Sequence, residues 1–184
     1  MQAWNGWYHV DGHTYGTWLP GDARGWREKQ HKLHVPGDYR NPPPEGFGER
    51  LLEYSRENLR QPCVRLSLAQ RQLAGRALVE MMLHQETELI ALSMDSVHFH
   101  LLARFREGDV RRRVGRAKKH AWHELCEAGF EGKLWQRSCH AEPIRDRGHQ
   151  VNAFHYILNH SQKGAWGWSF REGVYWRGGS AQGE

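Results

Sequence analysis

Apolar residues recur along the chain in short stretches whose spacing separates strands from helices. Trp7-Tyr8-His9-Val10 has the aromatic and β-branched content of a short strand. Residues 20 to 48 then lose any period. They are punctuated by Gly21, Gly25, Pro36, Gly37, the Pro42-Pro43-Pro44 run, Gly46 and Gly48, which predicts a long loop, with Glu49 to Leu59 as a short helix inside it. Loops of this length in compact domains usually carry function or motion. Ser67 followed by Gln70 has the pattern of a capping box. Leu73, Ala74, Ala77, Leu78 and Met81 continue at helical spacing, which predicts a helix over 67–84.

Two apolar runs come next, Thr87 to Ser93 and Val97 to Arg104, separated by Met94-Asp95-Ser96 and read as neighbouring strands. Asp109 is the expected cap of a second helix, with Val110, Val114, Ala117, Ala121 and Leu125 in one stripe and Gly129 at its end. Lys133 to Ile144 is strand-like but irregular. Residues 149 to 162 place Val151, Phe154, Ile157 and Leu158 at helical spacing, and Trp166 to Trp176 suits an extra strand. The order strand, helix, strand, strand, helix, strand, helix implies an α+β fold, with helices on one face of a mainly antiparallel sheet.

The 184 residues fit a single domain, with a Pro/Gly-rich loop insertion at about 20–62. Lys and Arg total 26 against 21 Asp and Glu, a formal net charge of +5. With 9 Trp, 6 Tyr and 6 Phe, that modest basic excess suits a nucleic-acid partner without proving one. A mean hydropathy of −0.82 and the lack of a long apolar run argue against a membrane span. The first residues lack the basic and apolar regions of a signal peptide, and the 3 Cys form no CxxC pair. A disulfide scaffold is therefore excluded and a cytoplasmic location expected.

The sharpest chemical feature is Val97-His98-Phe99-His100. On a strand, His98 and His100 face the same way while Phe99 faces the opposite side. Two neutral imidazoles so placed can hold one divalent metal, although two half-buried strand histidines satisfy the same pattern. On the last predicted helix, Tyr156 and His160 are four residues apart and share a face. A tyrosine hydroxyl becomes a nucleophile only on losing its proton, which a nearby cation favours. Arg104, Arg106, Arg111, Arg112, Arg113, Arg116, Lys118 and Lys119 form a cationic stretch suited to a phosphate backbone or simply to water, with Glu107 and Asp109 as local counter-charges. Trp18, Trp26, Trp122, Trp135, Trp166, Trp168 and Trp176 are candidates for stacking on unpaired bases, most of them better suited to anchoring core and loops. Cys139-His140 with Cys63 or Cys126 lacks structural-zinc spacing, and no Gly-rich phosphate loop is present.

In this order these residues resemble the single-tyrosine HUH transposases, in particular their REP-associated tyrosine transposase branch. His98-Phe99-His100 with Leu101-Leu102 matches the family's paired histidines, and Phe154-His155-Tyr156-Ile157-Leu158 matches its nucleophile helix. His160 falls where that family carries a polar metal ligand one turn later. Tyr15 to Gly25, Leu134-Trp135-Gln136-Arg137 and Pro143-Ile144-Arg145-Asp146 look like the same group. The resemblance implies a ferredoxin-like sandwich, with Mg²⁺ or Mn²⁺ held by His98, His100 and His160. It also implies Tyr156 as the nucleophile in cutting and rejoining single-stranded DNA through a 5′-phosphotyrosine. A homodimer acting on hairpin DNA is implied too, with Arg104, Arg111, Arg112, Arg113, Arg116, Lys118 and Lys119 on the DNA backbone. On this reading, three of the 13 histidines carry the chemistry. A module that binds structured single strands without cutting them is the alternative.

Overall fold

The computed structural model describes residues 3–27, 34–35, 46–106 and 109–174. Glu107, Trp176 and the Pro36 to Pro44 stretch named above lie outside them. In chain order the elements are β1 (Trp7–His13), β2 (Trp26–Arg27), β3 (His34–Val35), α1 (Glu49–Glu57), α2 (Leu68–His84), β4 (Glu88–Met94) and β5 (His98–Arg104). They continue with α3 (Val110–Glu127), β6 (His140–Pro143), α4 (Arg147–Asn159), a 3-10 turn (His160–Lys163), β7 (Trp166–Ser169) and β8 (Gly173–Val174).

The chain divides into two compact units, residues 1–14 with 65–184, and residues 15–64. In the smaller unit, α1 and the β2–β3 pair form within the predicted loop. Its ends meet where the Val64 amide donates to the Tyr15 carbonyl at 2.9 Å. Gly21 and Gly48 both have φ of 89°, and a Cβ on Gly21 would lie 2.4 Å from the Gly48 oxygen. That crossing of backbones requires glycine.

The larger unit contains a six-stranded antiparallel sheet in the order β6-β1-β5-β4-β7-β8. β1-α2-β4 and β5-α3-β6 are two βαβ crossovers, each leaving room for a strand of the other. That is the ferredoxin-like arrangement, extended at one edge by β7 and β8. Both halves of the α2 capping box form, between Ser67 and Gln70. Asp109 precedes α3 without capping it through its side chain, because its carboxylate is taken by Arg112 and Arg113. Of the stretch from 133 to 144, only β6 is a strand, and Trp135 adds an isolated bridge to Thr14.

Register assigns the faces. Phe99 pairs with Met94, and Met94 with Trp166, so all three point to one side. There Trp166 covers Gly75 of α2, where an added Cβ would stand 2.1 Å from the indole. Phe99 and Trp166 are fully buried, and α2 and α3 pack together over this face. The helices-on-one-face expectation describes this pair. The opposite face of β4 and β5 takes α4, through a cluster of Ala91, Leu102, Ile144, Ala153 and Ile157. His98 and His100 point to that second face, as Leu102 does.

Candidate metal and tyrosine site

β5 places His98 and His100 two residues apart on the α4 side of the sheet, while Phe99 locks the strand into the core from behind. His160 follows α4 directly, as the first residue of the 3-10 turn. One ring nitrogen from each of His98, His100 and His160 lies within 4.8 Å of the others, a spread that one ion can gather. Imidazole is a good ligand only when unprotonated. Burial is the main influence that lowers the pKa of all three, aided at His98 and His100 by neighbouring imidazoles and at His160 by Lys163. Burial thus favours the neutral, lone-pair-bearing form of all three.

Tyr156 lies one turn before His160. Its ring centroid is 5.2 Å from that of His100 and 4.9 Å from that of His160. The residue is 49% exposed. Partial burial, then the negative charge of Asp11, raise the phenol's pKa. A cation beside it acts in the opposite direction.

β1 supplies a set of groups that the sequence motifs did not single out. His9, Asp11 and His13 alternate along it and pair with Leu102, His100 and His98, so they share the histidine face. His9 Nε2 and His100 Nδ1 are hydrogen-bonded at 3.1 Å. The Asp11 carboxylate accepts from His140 Nδ1 at 3.0 Å and lies 3.6 Å from His13 Nε2. Desolvation alone would raise the Asp11 pKa, but these imidazoles hold it well below the usual carboxylate range. The site therefore contains more histidines than three. The period-two rule that selects His98 and His100 also selects His9, Asp11 and His13.

The cationic residues separate by location. Arg104, at the end of β5, donates to the Asn5 carbonyl at 2.7 Å and pairs with Glu88 at 3.3 Å. Arg112 and Arg113 pair with Asp109, and Arg113 also reaches the Gln85 carbonyl. Arg111, Arg116 and Lys119 are exposed. Lys118 is a structural residue, not the surface DNA contact that the sequence suggests. It is 6% exposed, and its ammonium donates to the carbonyls of Gln136 and Ser138 at 2.8 Å each. α3 covers the sheet face opposite to His98, His100 and Tyr156, so its exposed cations do not face the imidazoles.

No protein-family model and no curated protein matches this chain. Among solved structures it is similar to a REP-associated tyrosine transposase bound to a REP hairpin. The TM-score is 0.50 at 14% identity, over 89% of this chain and 71% of that one. At this identity the likeness is one of fold. The neighbour belongs to the group that the sequence motifs resemble. No helix among the described residues is long and apolar enough to cross a membrane.

Proposed function

We propose that this protein is a metal-dependent single-stranded DNA endonuclease and strand transferase that acts through a 5′-phosphotyrosine on hairpin DNA. The observation that carries the reading is the convergence of three imidazoles and a half-exposed tyrosine on one sheet face. The solved neighbour's hairpin and the resemblance of the motifs support the choice of DNA. The homodimer belongs to the same reading and rests on the resemblance alone.

His98, His100 and His160 would hold the ion. An all-nitrogen donor set suits Mn²⁺ better than Mg²⁺, which prefers oxygen. Bound there, a divalent cation supplies positive charge to a phosphodiester and to a developing phenolate. The Tyr156 hydroxyl oxygen attacks phosphorus as its proton passes to water. The Tyr–O–P bond forms, the bond from phosphorus to the 3′ oxygen breaks, and that oxygen takes a proton to become a 3′-hydroxyl. In rejoining, a 3′-hydroxyl attacks the same phosphorus and releases the tyrosine, so no external energy source is needed.

Incubation with a hairpin-bearing oligonucleotide and Mn²⁺ should yield a protein–DNA adduct that survives SDS and is absent in EDTA. Salt-sensitive binding with no cleavage under any divalent metal would overturn the proposal in favour of a binding module.

His9 is the positioning residue for this site. When His100 Nδ1–H donates to His9 Nε2, the His100 Nε2 lone pair is left for the ion, whereas the reverse tautomer puts a proton there. His9→Ala is expected to weaken Mn²⁺ binding by about 10- to 100-fold in calorimetric titration, with partial recovery in His9→Gln. Unchanged affinity in His9→Ala would exclude the role.

A further inference from the structure

On the reverse side of the sheet, α3 and residues 132–137 line an open, shallow cavity of about 550 Å³, within the range of small-ligand sites. Trp135, 7% exposed, forms part of its lining, and its Nε1 donates to the Lys118 carbonyl at 2.7 Å. Trp122 is half-buried at the same cavity, held by a 2.9 Å bond from its Nε1 to the Gly132 carbonyl. Both indole N–H groups are therefore committed to the fold, and what Trp122 has left to offer a ligand is ring surface. Lys119, Lys133 and Arg137 are exposed at the cavity, and none of its lining residues is acidic. An aromatic surface with cations around it and no carboxylate is the combination that binds unpaired nucleotides, by stacking and phosphate contact.

The cavity is also tied to the histidine site. Trp135 bridges to Thr14, and the Gln136 amide donates to the His13 carbonyl at 3.0 Å, at the end of β1. The Trp135 ring meets Phe99 edge to face at 5.5 Å, directly behind the strand segment that carries His98 and His100.

We infer that this cavity binds an unpaired nucleotide of the single-stranded DNA flanking the hairpin, its base stacked on Trp122 and its phosphates on Lys119, Lys133 and Arg137. The inference rests on the proposed function for the identity of the strand.

The test is fluorescence anisotropy in EDTA, with a labelled DNA hairpin carrying a single-stranded flank and the same hairpin without it. Trp122→Ala should weaken binding of the flanked hairpin by about 10-fold and leave the flankless one within about 2-fold, while Trp122→Phe retains most of the flank's contribution. Lys119→Glu, an exposed change that leaves the cavity floor untouched, should weaken the flanked probe more than the flankless one. Equal effects on both probes, or no effect of Trp122→Ala on either, would overturn the inference. The wild-type adduct assay separates the two claims. Trp122-dependent flank binding without an adduct upholds the cavity and sinks the catalytic reading. An adduct with Trp122-independent binding does the reverse.

Discussion

Tyr156→Phe is expected to abolish the SDS-stable adduct, lowering its rate of formation by at least about 1,000-fold, while changing hairpin affinity by less than about 3-fold. The substitution removes one oxygen from a ring that is already half exposed and leaves the packing of α4 through Ala153 and Ile157 intact. Among the described tyrosines, Tyr156 alone has its ring against His9, His100 and His160. Tyr8 is half-buried, its ring against Phe105, and pairs with Ala103, which faces away from the imidazoles. The effect should be all or none because no other described tyrosine has its ring among these imidazoles. A gel assay with labelled DNA measures the adduct, and anisotropy measures binding. Adduct formation by Tyr156→Phe at the wild-type rate would remove Tyr156 as nucleophile.

His100→Ala should have the next largest effect. Manganese affinity is expected to fall by at least about 100-fold and adduct formation to background. His100 is at the centre of the cluster, bonded to His9 and packed against the rings of His98, His160 and Tyr156. Its removal costs the ion a ligand and Tyr156 a neighbour. The strand beneath should hold, since Phe99, Leu101 and Leu102 are fully buried on either side of it. Thermal unfolding separates loss of the ion from loss of the fold. Mn²⁺ should raise the wild-type midpoint, because an ion that binds only the native state stabilises it. The same ion should leave His100→Ala unmoved. A variant whose midpoint rises as the wild type's does would show that His100 is not a ligand.

Local signals in the chain were sufficient for most elements and for part of the site. The Ser67–Gln70 box and the strand pair around Met94-Asp95-Ser96 act within a few residues and appear in the fold as expected, while Tyr156 and His160 meet although α4 ends at Asn159 and His160 opens a 3-10 turn. Asp109 failed as a side-chain cap because two nearby guanidiniums compete for its carboxylate. Lys118 is a structural residue and not a surface cation, and the helical pattern itself points to this. It is four residues from Val114 and three from Ala121, inside the buried stripe of α3. The groups on β1 are hidden in the sequence for a different reason. His9, Asp11 and His13 alternate as His98 and His100 do, but only pairing across β1 and β5 makes them neighbours of the site. The separation of the basic helix from the imidazoles was not legible either. Which face of a sheet a helix covers is decided by crossovers and core packing, not by the helix's own charge.

Peptide mass spectrometry of the trapped adduct tests the central claim most directly. After incubation with hairpin DNA and Mn²⁺, nuclease trimming and proteolysis, a residual nucleotide mass is predicted on Tyr156, linked through a 5′ phosphate. A nucleotide on any other residue, or linkage through a 3′ phosphate, would contradict the account.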